Sequence, residues 1–381
     1  MAVRHRPDDQ PVPGPELINP EEDRPLLSPR TVTAAIAVAV TFVLALTMLF
    51  VTPPYAIQSP GPTVDTLGEV EEDTPLITVE GAETYPTDGE LRLTTVSTRG
   101  GPGYPATVAQ VVGGWISGTT TVVPRETAFQ PGQTEEEVQQ ESSLQMSSSQ
   151  TNATVAALTE LGHDVPTELH IAGTPPHGAA AGLVESGDRL TWISTPDTER
   201  TELTSFAVLS DVLAATPPGT TVSLGVERDG EERTVDVVTD GDGDGGSLIG
   251  VMISPEVDLP FEVNFAIENI GGPSAGLMLT LGIIDILTPG ALTGGEVIAG
   301  TGTVDLAGDV GPIGGIAQKM AGSVRDDAQW FLAPVENCGA VAGNVPDGLE
   351  VVAVDTVSEA VGAVEAIAED RTADLPRCPA G

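Results

Sequence analysis

The chain has 381 residues, long enough for two or three domains, and 40% of them are hydrophobic, so it can bury real cores. Its net charge of −41 excludes nucleic acid as a partner, because phosphates would be repelled and no basic patch offsets this; the acidic surface serves solubility. Residues 1–30, rich in Pro and acids, predict a disordered cytoplasmic tail. Thr31 to Val51 follow as twenty-one uncharged, mostly apolar residues, enough to cross the hydrocarbon core as a helix, and Pro53-Pro54 end it. A cleaved signal peptide would have a shorter apolar region and a shorter leader, which favours a permanent anchor over 31–52. Arg4, Arg6, Arg24 and Arg30 precede the span, and no Arg or Lys follows until Arg92. The positive-inside rule then predicts a single-pass cell-membrane protein, with its N-terminus cytoplasmic and the rest extracytoplasmic.

After the anchor, Tyr55 to Gly68 reads as an extended Pro/Gly linker. Leu91 to Val96 alternates as a strand, and Val108 to Ile116 predicts a short helix. From Thr134 to Leu161 acids and Gln give way to Met146, Ala153, Val155, Ala156 and Leu158 at helical spacing, a helix of about two parts. Residues 53–164 form either a separate α/β domain or the opening part of the C-terminal one; the shortness of the later segment favours the second.

In 165–252 a strand at Leu169-His170-Ile171 is followed by Gly178-x-Ala180-x-Gly182-Leu183, a Gly187-Asp188 turn and a helix from Ser205 to Ala215. A hairpin closes the module. Val222, Leu224 and Val226 alternate on one strand, Asp229-Gly230 turns, and Val235 and Val237 alternate on the other. This order resembles a PDZ domain, which implies capture of an extended peptide by strand addition. The competing reading is a small β-barrel used as a spacer. Asp240-Gly241-Asp242-Gly243-Asp244-Gly245 imitates the start of a calcium loop, yet Val251 stands where a bidentate Glu is needed, so it reads as a solvated acidic loop.

The chemistry concentrates between Gly271 and Met320. Gly271-Gly272-Pro273-Ser274-Ala275-Gly276 leads into an apolar run, Leu277 to Leu287, that Thr288-Pro289-Gly290 stops. Ser274 is therefore expected at the N-terminus of a buried helix, where backbone N–H groups and the helix dipole can stabilise an oxyanion. A Ser in such a turn is more often only an N-cap. Lys319, after Pro312-Ile313-Gly314-Gly315, is the sole lysine beside fourteen arginines, and it shares a helix face with Ile316, Met320 and Ser323. Arginine stays protonated, whereas a desolvated lysine can lose its proton near neutrality and act as a base toward a hydroxyl. A Ser–Lys pair is the natural expectation.

Gly272-Pro273-Ser274-Ala275-Gly276, a Thr301-Gly302 element and Pro312-Ile-Gly-Gly-x-x-x-Lys319 together resemble the proteolytic domain of the Lon family of Ser–Lys proteases, over roughly residues 255 to 370. The resemblance implies that Ser274 is the nucleophile, Lys319 the general base and Thr301, eighteen residues before the Lys, its hydrogen-bond partner. The family usually carries an acidic residue three before the Ser; here it is Gly271. The Lys-poor, Ala-, Gly- and Asp-rich composition resembles that of actinobacterial proteins.

The expected fold is α+β: one N-terminal transmembrane helix, a PDZ-like β-barrel module and a Lon-type proteolytic domain at 253–372, with a tail at 373–381. The expected function is an ATP-independent serine endopeptidase acting on extracytoplasmic proteins or peptides. It needs no cofactor or metal, since histidines are scattered and no Gly-Lys-Ser/Thr occurs. A homo-oligomer is compatible with the sequence. The alternative is a membrane-bound binding or scaffold protein that has lost turnover. Trypsin-like chemistry is excluded, because Ser274 follows Gly-Gly-Pro and His163, His170 and His177 lie in or beside the PDZ-like part. Cys338 and Cys378, both on the exported side, form an even pair that reads as a disulfide in an oxidising compartment.

Overall fold

The computed structural model describes residues 28–71, 74–163, 165–175, 177–241, 246–267 and 270–379. The expected tail at 1–30 lies almost wholly outside the described residues, as does most of the acidic loop at 240–245. Helix α1 (Pro29–Phe50) starts where the Ser28 side chain accepts the Thr31 N–H and where Pro29 presets the backbone of the first turn. None of its residues is buried against protein. Its 22 residues reach roughly 33 Å, long and apolar enough to cross a bilayer.

The stretch expected as a linker is instead strand β1 (Tyr55–Asp65), flanked antiparallel by β2 (Glu90–Arg99) and β3 (Thr121–Pro124). Pro60-Gly61-Pro62 mislead a local reading because they occupy a register shift between Pro60 and Thr63, where a missing N–H donor is tolerated. A Cβ on Gly61 would stand 2.8 Å from the Thr95 carbonyl oxygen, so this crossing admits only glycine. Helix α2 (Val108–Ile116) forms where expected, its start closed by a reciprocal Thr107–Gln110 capping box. Helix α3 (Glu135–Glu160) is one continuous helix rather than two parts. Its Glu/Gln/Ser-rich first half lacks an apolar stripe, yet the Thr134–Glu137 capping box and good helix formers carry it into the second half, which buries Ala153, Ala156, Ala157 and Leu158.

The next elements are β4 (Thr167–Gly173), β5 (Arg189–Ser194), α4 (Phe206–Ala214), β6 (Thr221–Arg228), β7 (Glu231–Val238) and β8 (Met252–Val257). They make an antiparallel sheet in the order β7-β6-β5-β4-β8. Asp229 and Gly230, with φ of 53° and 78°, form the tight turn between β6 and β7. Leu169, Ile171, Leu190, Val222, Leu224 and Val237 pack with Leu209 and Leu213 of α4 into a core of their own.

The chain then returns to the first sheet through α5 (Gly276–Leu287), β9 (Val297–Gly300), α6 (Ile316–Arg325), β10 (Trp330–Pro334), β11 (Glu350–Val354) and α7 (Val357–Ala368). Strand order is β11-β10-β9-β2-β1-β3, with β9 parallel to both β2 and β10, and β10 parallel to β11. Alternate residues serve opposite faces. Ile298, Leu332, Val352 and Val354 pack toward α3, α5 and α7, whereas Ala299, Phe331, Ala333 and Val351 pack with Ile316 and Met320 of α6. The first sheet is thus sandwiched between helices, and its strands come from both sides of the second sheet in the sequence. Leu158 of α3 and Leu306 meet Phe206 and Val257, which joins the two parts. Cys338 is disulfide-bonded to Cys378.

Candidate active site

Ser274 sits in a single 3-10 turn, Pro273–Ala275, that runs straight into α5. Gly272 enters that turn at φ 90°, which favours glycine. The turn is held from two sides. The Ser149 hydroxyl of α3 donates to the Pro273 carbonyl (3.1 Å), and the Gly302 N–H and Thr301 hydroxyl both donate to the Ser274 carbonyl (3.1 and 3.0 Å). The Leu277 N–H donates back to the Gly302 carbonyl (3.2 Å), so the start of α5 and the segment after β9 are zipped together.

Lys319 approaches from α6 on the opposite side of the sheet edge. Its Nζ donates to Ser274 Oγ at 2.6 Å and to Thr301 Oγ1 at 2.8 Å. The residue is 2% exposed and Thr301 fully buried. Desolvation drives the Lys319 ammonium down from its ordinary 10.5 to about 7, because burial disfavours the charged form. The three residues singled out from the sequence therefore stand within hydrogen-bond reach of one another. Gln318, next to Lys319, donates to Thr121 Oγ1 of β3 (2.7 Å) and ties α6 across the sheet edge.

Several supporting side chains carry no sequence signal. Asn337 clamps the Pro312-Ile313-Gly314 turn, accepting the Ile313 N–H and donating to the Ile313 carbonyl, both at 2.9 Å. Ser142 of α3 explains the departure at Gly271: a Cβ there would meet Ser142 Oγ at 1.8 Å, so the helix occupies the space an acidic side chain would take. Lone serines and asparagines far away in the chain look like any surface polar residue until the fold brings them in.

The pair opens into a cleft of about 860 Å³ bordered by Thr95–Arg99 of β2, Tyr104, Met146, Ile270 and Ile313. Among the described residues, strand β2 is paired on both sides only through Leu93, where β9 ends; its remaining residues border the cleft. Elsewhere, Glu168, His170 and Glu256 bring ligand atoms within 4.8 Å of one another across β4 and β8. His170 Nε2, itself shielded from solvent, stands 3.4 and 3.7 Å from the two exposed carboxylates. No feature of this cluster links it to Ser274.

Residues 266–366 match the family model of the Lon protease (S16) C-terminal proteolytic domain. The chain is 35% identical over 91 residues to the Lon protease of Azospirillum brasilense, covering 23% of this chain and 11% of that protein. It is 33% identical over 119 residues to the Lon protease of Campylobacter jejuni, covering 29% and 15%. A third similar protein is Lon protease 2 of Bacillus subtilis, 34% identical over 90 residues, covering 24% and 16%. The chain thus spans less than a fifth of the length of these relatives. Among solved structures it is similar to the PDZ domains of SdrC-like proteins from Listeria innocua and Listeria monocytogenes. The first is 20% identical, with 23% of this chain and 92% of that chain covered, and TM-score 0.20; the second is 18% identical, with 24% and 88% covered, and TM-score 0.20. The segment matched by that family model holds Ser274, Thr301 and Lys319, and in it the chain is similar to a Lon-type proteolytic domain.

Proposed function

We propose that the chain is a membrane-anchored, ATP-independent serine endopeptidase. The observation that carries this reading is the 2.6 Å contact between Ser274 Oγ and the Nζ of the sole lysine, in surroundings that hold that amine near neutrality. Ser274 Oγ attacks the scissile carbonyl carbon while its proton passes to the neutral Lys319 amine. Thr301 keeps that amine aimed at Ser274. Backbone N–H groups at the start of α5 hold the oxyanion. Collapse breaks the C–N bond as Lys319 returns the proton to the leaving amine. Water, deprotonated in turn by Lys319, then releases the acid and restores the Ser274 hydroxyl. A substrate in extended form suits the unpaired edge of β2.

The proteolytic unit in this reading combines 53–164 with 253–372, and the PDZ-like module at 165–252 recruits peptide segments. ATP independence draws support from the lack of any Gly-Lys-Ser/Thr in the sequence. Two independent features favour an extracytoplasmic site: the four arginines ahead of α1, and a disulfide, which suits an oxidising compartment.

The test is peptide cleavage by purified full-length protein and its Ser274→Ala and Lys319→Arg variants. A salt-bridging lysine tolerates arginine, whereas a general base does not, because guanidinium keeps its proton. Either change is expected to lower the rate roughly a thousand-fold or more, and the double change little further, since the two groups act as a unit. Near wild-type cleavage by both single variants would falsify the assignment.

A further inference from the structure

We infer that α2 lies in the lipid headgroup interface beside α1, with Trp115 and Ile116 seated in the bilayer, so that the catalytic cleft is held at the membrane surface. This rests on the reading of α1 as a membrane span. Three observations carry it.

The first is position. The Val108 N–H, at the start of α2, donates to the Val51 carbonyl at the end of α1 (3.0 Å), and Trp115 packs edge-on against Tyr55 with ring centroids 5.9 Å apart. The second is exposure. Trp115 is 62% and Ile116 81% exposed, and Ile116 is barer than any large apolar side chain of α1 itself. Exposed apolar side chains are thus present on both α1 and α2, which meet at Val51 and Val108. An indole with one wet and one apolar side favours the bilayer boundary.

The third is charge. The protein carries −41 overall, yet no Asp, Glu, Lys or Arg occurs between Arg99 and Arg125, nor between Arg30 and Asp65. These two neutral stretches meet in space, since Tyr55 of β1 pairs with Pro124 of β3. An acidic surface is repelled by anionic lipid, so the one face that α1 brings to the bilayer has to be uncharged. Arg99 and Arg125, both exposed, end the second stretch and suit anionic headgroups, while the acid that reaches this stretch from α3, Glu135, is engaged by Tyr104. The cleft follows from the same helix. Gln110 borders the cleft with Ser274 and lies five residues before Trp115, roughly 7.5 Å along the axis.

The test uses the full chain in vesicles of phosphatidylcholine and phosphatidylglycerol, and in the same lipids brominated near the headgroup end of the acyl chains. Flotation with the vesicles after a high-salt wash reports α1; tryptophan emission reports α2. Brominated lipid is expected to quench wild-type emission by up to the share of one tryptophan in three, and to leave Trp115→Phe unquenched. The phenyl ring keeps the contact with Tyr55, and an unchanged thermal melt verifies the fold of the variant. Equal wild-type emission in both lipids, in a chain that floats, puts α2 in water and overturns the inference while sparing the spanning helix. So does Trp115 that escapes bromine but is shielded from aqueous iodide, the signature of a second copy covering the face. A chain that does not float overturns both readings.

Discussion

Lys319 and Asp285 are both buried ionisable groups, and burial moves them from opposite sides toward neutrality. Lys319 is neutral above about 7, so the cleavage rate is expected to rise with pH through that value and then level, as the amine becomes available to take the Ser274 proton. A stopped assay from pH 5.5 to 9 reads this; a flat profile, or one that falls across neutrality, removes Lys319 as the base. Asp285 is fully buried in α5, and its Oδ1 accepts the Leu292 N–H (3.0 Å) while Oδ2 has no hydrogen-bond partner among the described residues. Desolvation, with Asp65 adding to it, raises its carboxyl from 3.8 to about 6. The folded state then holds a proton that the unfolded state releases, so stability falls as pH rises from 3.8 to about 6 and stays low above. Asp285→Asn should therefore stabilise the protein at pH 7.5, by no more than about 3 kcal/mol, and give little gain at pH 4. Urea unfolding at the two pH values separates these outcomes; a loss of stability at pH 7.5 would mean that the ionised carboxylate is needed. Lys319 was legible as the only lysine in an arginine-using chain. The partners that hold its neighbours, Ser149 and Asn337, were not, since their roles arise from contacts more than a hundred and twenty residues away and twenty-four residues away respectively.

Elements that are set by their own residues could be read from the sequence, and elements set by distant partners could not. Helix α2, helix α4 and the β6–β7 hairpin carry caps, a 3.6 period or a turn dipeptide, all local signals. Strand β1 carries Pro-Gly-Pro, and only its pairing with β2 and β3 makes it a strand. The junction of α5 with the segment after β9 is likewise a matter of close approach. A Cβ on Gly276 would stand 2.9 Å from the Val304 backbone nitrogen, which cannot swing aside as a flexible side chain could. Gly276→Ala is expected to lift α5 off that segment, cost about 1–3 kcal/mol of overpacking, and separate Ser274 from Lys319. Cleavage should fall by at least tenfold. Gly362→Ala is the matched control: it is also helical, an added Cβ meets nothing within 4 Å, and it should stabilise α7 by about 0.5–1 kcal/mol with activity intact. Thermal melts and cleavage assays on both variants decide it; a fully active Gly276→Ala protein would mean that the approach is looser than the packing implies.

At the scale of the molecule, one sheet is closed by strands that flank the second sheet in sequence, and its last strand is fastened to the tail. The Ala353 N–H donates to the Pro376 carbonyl, Arg377 pairs with Glu350, and the Cys338–Cys378 bond closes a loop with a sequence separation of 40. Loop closure of that length stabilises by about 2–4 kcal/mol, so Cys378→Ser should lower stability by that order and free the tail from β11. The same bond reports orientation, because it persists only where thiols are not kept reduced. Cells broken directly into acid and alkylated should give a chain in which neither cysteine is labelled until a reductant is added. Wall-stripped cells treated with protease should lose everything after Tyr55, while a tag ahead of α1 survives inside. A chain with both thiols free and its C-terminal part protected would reverse the orientation, put Ser274 and Lys319 in the cytoplasm, and leave the four leading arginines on the wrong side of the bilayer.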